Sequence, residues 1–167
     1  MFIAHLPAGY LLTKRIEARW RASGLMPLGL AASVLPDTDL FWLYVVDHRR
    51  VLHHGYWTHV PFWWATIAAT WYLGVLVMRR PMAGAGSTVF FGNVFVHLAL
   101  DTVVGRVAWL APFSRRQFAL VTVPASHHWW VWNFVVHWTF ALELLVVAWA
   151  AAEAVRHPLA ARWNAKT

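Results

Sequence analysis

His97 and Asp101 stand four residues apart in VHLALDTVVGR, inside an otherwise apolar run, a spacing that sets both on one face of a helix. Asp37 and Asp39 lie in LPDTDLFW, His53, His54 and His59 in HHGYWTHV, and His5 close to the start. A carboxylate inside a bilayer costs roughly 2.5–3.5 kcal/mol on insertion scales, so each such group needs a partner or a task. Imidazole nitrogen and carboxylate oxygen together suit Zn²⁺, Mn²⁺ or iron better than they suit a soft metal. Alone, the His97–Asp101 pair reads equally well as a hydrogen bond pinning two helices. The convergence of several such residues at one end of the molecule favours a metal site.

Within that set the roles divide. Asp37 and Asp39 are two residues apart and would diverge on a regular helix, but Pro36 removes a backbone donor and lets both approach one site. Asp37 is the expected ligand, and Asp39 the acceptor that orients a ligand histidine. Among the loop histidines, His59 stands where the chain enters the next apolar run and is the expected ligand, with His54 second. His48 and His53 read as solvated or interfacial. A later stretch, SHHWWVWNFVVHWTFALE, holds His127, His128, His137 and Glu143. His137 and Glu143 are six apart, and this stretch reads as interfacial aromatics with a Glu143 either protonated or hydrogen-bonded between helices.

The elements that must position these groups are membrane helices. Of 167 residues, 60% are hydrophobic and 13% charged, far from the balance of soluble domains. Thirteen tryptophans suit a chain that meets lipid headgroups. Four runs are long enough to cross a bilayer: Gly24 to Val46, Val60 to Met78, Ser87 to Val104, and Trp132 to Val155. A short helix from Phe2 to Leu12 ends before Lys14 and enters only part way. The Pro-broken, aromatic stretch AWLAPFSRRQFALVTVPASHHWW reads as interfacial or re-entrant. The expectation is all-α, one integral membrane domain over residues 1–167, a polytopic helical bundle.

Charge and cysteine content narrow the function. No cysteine is present, which excludes disulfides and thiolate metal sites. The net charge of +7 is spread as Lys14–Arg15, Arg49–Arg50, Arg79–Arg80 and Arg115–Arg116 between apolar runs, the pattern of membrane-flanking charge rather than a nucleic-acid platform. If the spans alternate, nine Lys/Arg fall on the side that carries Lys14 to Arg21, Arg79–Arg80, Arg156, Arg162 and Lys166. That side is predicted cytoplasmic, and the His/Asp cluster then lies towards the non-cytoplasmic face. In MFIAHLPAGYLLTKR the apolar part precedes the charges, unlike a removable signal peptide.

Four motifs in order, AHLPAGY, LPDTDLFW, HHGYWTHVPFW and HLALDTVVG…PFS, resemble the membrane-bound metal-dependent hydrolase family of bacterial inner membranes, the YdjM-like group. Together they span about two-thirds of the chain. That group is in turn similar to the zinc-dependent phospholipase C and related nuclease proteins, which are all-helical and act on phosphoesters with a metal cluster. The resemblance implies one ion held by Asp37, His59, His97 and Asp101, and a second held by His5 and Asp101, with Asp101 bridging. The soluble enzymes use their free N-terminal residue as a ligand, whereas here four residues precede His5. They also use a later His-x-x-x-Glu, which the spacing of His137 and Glu143 does not reproduce.

The leading expectation is therefore a membrane-embedded hydrolase, with one or two divalent ions, most simply Zn²⁺, acting on a phosphoester that a lipid could carry. Such an ion lowers the pKa of a water and neutralises charge on the phosphoryl oxygens. Asp39 would orient a ligand or accept a proton, and His54 or Arg106 would stabilise the leaving oxygen. Asp101 is five residues from Arg106, about 7 Å along a helix, near headgroup depth. The expected partners are membrane lipids and such a substrate, not nucleic acid. Two rivals remain at this point. One is a metal or proton transporter, for which Glu143 near the middle of its span speaks; the other is a non-catalytic protein whose metal is structural.

Overall fold

The computed structural model describes residues 1, 3–79 and 84–156. The start of the expected first helix at Phe2 and the basic residues Arg80, Arg162 and Lys166 lie outside them. Among the described residues seven α-helices follow in order: α1 (His5–Trp20), α2 (Met26–Val34), the single turn α3 (Asp39–Phe41), α4 (Pro61–Val77), α5 (Gly84–Val104), α6 (Trp130–Val135) and α7 (Thr139–Arg156). Among the described residues there is no strand, only an isolated antiparallel bridge between Val107 and Phe118.

The centre is a three-helix packing of α1, α2 and α5. Small residues bring α1 and α2 together: a Cβ at Gly9 would lie 2.5 Å from the Cβ of Ser33, and one at Gly29 would lie 1.9 Å from Thr13 Oγ1. Ala32, Val94 and Leu98 form the apolar core with Trp64 of α4. The Trp64 indole also donates to the carbonyl of Thr58 at 2.8 Å, which ties the loop before α4 to its first turn. Val60 is extended, and Pro61 opens the helix at a position where the missing N–H costs nothing.

The expected four spans are reduced. Among the described residues, α5 alone is long and apolar enough to cross a bilayer, and α4 is a shorter apolar helix. The run from Gly24 to Val46 breaks where Pro36 starts a 3-10 turn, after which come α3 and a π-helical turn, Trp42–Val46. The run from Trp132 to Val155 breaks between α6 and α7, where the His137 imidazole hydrogen-bonds Thr139 Oγ1 at 2.9 Å and competes with the helical ladder.

The first helix also corrects the expectation. It does not stop before Lys14 but runs to Trp20, because both charges on its inner face find partners. Lys14 Nζ lies 3.0 Å from Glu153 Oε1 on α7, and Glu17 Oε1 accepts the Leu25 N–H at 2.8 Å. The helix ends with Arg21 in the left-handed region (φ 51°) and the Ala22 N–H bonded to the Glu17 carbonyl. The expected interfacial stretch folds back on the end of α5, through Leu120 N–H to Thr102 O at 2.8 Å and Val121 N–H to Val103 O at 2.9 Å.

Candidate metal centre

Four segments far apart in sequence deliver the cluster. His5 is the first residue of α1. Asp37 sits in the 3-10 turn that Pro36 opens, His59 ends the turn before α4, and His97 and Asp101 share a face of α5. Each of Asp37, His59, His97 and Asp101 offers one ligand atom, all within 4.8 Å of one another.

Hydrogen bonding settles which atoms face inward. His97 Nδ1 lies 2.8 Å from the Ser33 carbonyl, which can only accept, so Nδ1 carries the hydrogen and Nε2 presents a lone pair. His59 Nδ1 lies 2.7 Å from Asp39 Oδ2 and presents Nε2 for the same reason. The two Nε2 atoms are 3.4 Å apart. His59 Nε2 is 3.6 Å from Asp37 Oδ1 and 3.4 Å from Asp101 Oδ2, and His97 Nε2 is 3.6 Å and 3.0 Å from the same two atoms. A tetrahedral ion with ligands at about 2.0–2.1 Å has edges of about 3.3–3.4 Å between them. These separations, 3.0–3.6 Å, scatter around that edge.

The cluster also contains buried polar atoms without a hydrogen bond, Asp101 Oδ2 and His5 Nε2. Two imidazole lone pairs and two carboxylate oxygens crowded in a buried space repel unless a cation lies between them. A divalent transition ion fits this donor set. His59 shows how strongly the space favours positive charge: burial opposes its cation, but the carboxylates of Asp101, Asp37 and Asp39 outweigh this and raise its pKa to about 10, so that without an ion Nε2 holds a proton, which a bound ion would displace.

A second set of atoms faces away from the first. Asp101 Oδ1 is 3.1 Å from His5 Nε2 and 2.7 Å from the Met1 amine, while Asp37 Oδ2 is 4.0 Å from His5 Nδ1. Both carboxylates thus turn one oxygen to each side. The His5 ring stacks on that of His97 with centroids 3.9 Å apart.

Asp39 is almost wholly buried. It takes His59 Nδ1 and the Thr58 hydroxyl on Oδ2 and His53 Nε2 on Oδ1, the last at 2.9 Å. His53 therefore belongs to the cluster and is not simply solvated or interfacial; its Nε2 is also 3.5 Å from Asp37 Oδ1. Nothing in the sequence around it is periodic, and the only available signal was its distance of one residue from His54. His54 Nε2 lies 3.6 Å from Asp101 Oδ2, and its ring occupies the space beside Gly105, where a Cβ would come 2.2 Å from its Cε1. Burial pushes its pKa down to about 4, so it is a neutral imidazole.

A cavity of about 240 Å³ opens over these groups. Its floor is Asp37, His53, His54 and Asp101, and its apolar walls are Leu40, Val104, Trp130 and Phe134. Arg106 is not brought to it: that side chain is exposed, and its neighbour Gly105 lines the cavity instead. His127, His128 and His137 are likewise elsewhere, His127 and His137 hydrogen-bonding locally to Ser126 and Thr139. Glu143 points to the chain before α1 and accepts the N–H groups of Ile3 at 2.5 Å and Ala4 at 3.2 Å.

Large apolar side chains on the outer surface, among them Trp63, Ile67, Trp71 and Leu73 of α4 and Leu145 and Trp149 of α7, are exposed. No curated protein and no solved structure matches the chain. The model of the YdjM inner membrane proteins matches residues 1–162, nearly the whole length, and the chain belongs to that family.

Proposed function

We propose that this protein is a multi-pass inner-membrane hydrolase that uses one or two divalent ions, Zn²⁺ in the simplest case, to cleave a phosphoester carried on a lipid. The observation that carries the reading is the crowding of Nε2 lone pairs and carboxylate oxygens directly under a cavity with a polar floor and apolar walls. Bound there, an ion supplies Lewis acidity and lowers the pKa of a water towards neutrality.

The chain's own groups do the rest. Asp37 and Asp101 carry the charge that holds cations, and each spans both sides of the cluster. Asp39 is fully engaged by three partners, so it orients the rings of His59 and His53 rather than taking a proton. His54, neutral and lining the cavity, donates a hydrogen bond to a departing oxygen. Trp130 and Phe134, one helical turn apart on α6, give the apolar portion of an amphiphile a surface to lie against. The exposed apolar face of α4 is turned to lipid, and the Lys/Arg distribution sets the cavity towards the non-cytoplasmic side.

One observation favours a second reading, a structural ion. Asp37, His59, His97 and Asp101 supply four ligands, the full complement of a closed tetrahedral site. The side around His5 has fewer donors and would leave positions open. Protein purified in detergent and assayed on phospholipids, lipid-linked pyrophosphates and a generic phosphodiester separates the two. Hydrolysis that a chelator stops and Zn²⁺ restores supports the enzyme; retained metal with no turnover on any substrate class supports the structural ion.

A further inference from the structure

Glu143 stands outside the metal cluster, yet it is buried and its carboxylate is committed to the backbone just ahead of His5. Helix α1 begins without help from its own sequence: Ala4 occupies the capping position with no side-chain hydrogen bond, and no acidic residue lies in the first turn. Glu143, from the first turns of α7, accepts the N–H groups of Ile3 and Ala4 in its place. The very next residue is His5, whose Nε2 faces Asp101 Oδ1 at 3.1 Å and whose ring stacks on His97.

The second clamp between the same helices lies ten residues further along each, where Lys14 meets Glu153. Both contacts advance in the same direction, so α1 and α7 run parallel and α7 grips α1 at two levels about 15 Å apart. Of these two, the upper clamp alone adjoins the metal cluster.

We propose that Glu143 is a positioning residue for the second ion: by holding the backbone of Ile3 and Ala4 it sets His5 against Asp101, and so governs occupancy of the His5 side without touching the Asp37–His59–His97–Asp101 side. This rests on the metal reading above and adds to it the residue that makes the second side competent. A glutamine keeps a carbonyl that accepts the same two N–H groups, whereas leucine fills the space without an acceptor.

The test is a metal titration of full-length protein in detergent, with Zn²⁺ read by elemental mass spectrometry and Co²⁺ by its visible absorption. Wild type is expected to take two ions. Glu143→Leu is expected to keep one ion with the tetrahedral Co²⁺ bands and bind the other at least about tenfold more weakly. Glu143→Gln restores the second ion, and His5→Ala reproduces the Glu143→Leu titration with no further loss in the double variant. Glu153→Leu, which cuts the other clamp, leaves two ions. Should Glu143→Leu fail to fold, Glu143→Asp, a methylene shorter, carries the same expectation. Two ions bound at wild-type affinity in either variant, or loss of both together, overturn the proposal. A wild type that binds no ion overturns the metal reading itself, and this role with it.

Discussion

Helix α1 buries charge at both of its ends, and the two burials finish differently. Towards its C-terminus Lys14 meets the carboxylate and the carbonyl of Glu153 at 3.0 and 2.9 Å, and Glu17 receives a backbone N–H. Donors there face acceptors, and the region is electrically complete. At the N-terminus His5 joins Asp37, His59, His97 and Asp101, where the Met1 amine meets Asp101 Oδ1 but Asp101 Oδ2 and His5 Nε2 are left without a hydrogen bond. Burial of polar groups that closes on itself builds the bundle; burial that leaves lone pairs facing one another is arranged for something else.

Substitutions at the two ends should therefore separate cleanly. The largest effect is expected from Asp101→Asn, which keeps the shape of the side chain but removes the charge shared by both sides of the cluster. Metal content of the purified protein should fall to near zero, while a Lys14→Met/Glu153→Leu double variant should keep the wild-type content. Equal loss of metal in both would dissolve the distinction between the two ends.

Next in size is Asp39→Asn. The amide can no longer accept from His53, His59 and Thr58 together, so His59 loses its fixed orientation. Metal affinity is expected to drop about 10–100-fold, measured by competition with a chromophoric chelator. Unchanged affinity would mean that the His59 ring is held by packing alone.

Mild acid should act at the metal end through His54. His54 is neutral when folded, with its pKa lowered by burial to about 4, against about 6.5 in the unfolded chain. Its contribution to stability is present above pH 6.5 and is lost as pH falls towards 4, where protons also compete for the ligand nitrogens. Thermal stability of metal-free protein is expected to decline across that window, less so in His54→Gln. The smallest effect is expected from Gly105→Ala. Its methyl group would displace the His54 ring, lowering turnover several-fold in the substrate screen with metal content unchanged.

Much of the metal end was legible from residue types alone. The four-residue spacing of His97 and Asp101 on a helix, and the Pro36 that breaks the ladder between two aspartates, state their geometry locally. His53 was not legible, because the loop from Asp47 to Val60 has no periodicity and its ring is placed by Asp39, fourteen residues earlier. The length of α1 was not legible for a related reason. Lys14 looks like the charge that ends a membrane segment, and only Glu153, at the far end of the chain, turns it into a buried one. Glu143 in the middle of an apolar run reads as protonated or hydrogen-bonded between helices, with transport as the rival, and it does hydrogen-bond across elements; that the groups it binds include the backbone of residues 3 and 4 was not legible. Local spacing carries what one helix face decides; pairings across more than a hundred residues leave no mark on either partner's neighbourhood.

The central claim is that the crowded lone pairs of the N-terminal cluster hold a transition ion. X-ray absorption at the zinc edge, on detergent-purified protein loaded with Zn²⁺, tests it most directly. The account predicts a first shell of nitrogen and oxygen at about 2.0–2.1 Å that includes imidazole scattering, and its loss in Asp101→Asn. Correctly folded wild-type protein that retains no zinc, or zinc whose shell is unchanged in Asp101→Asn, would contradict it.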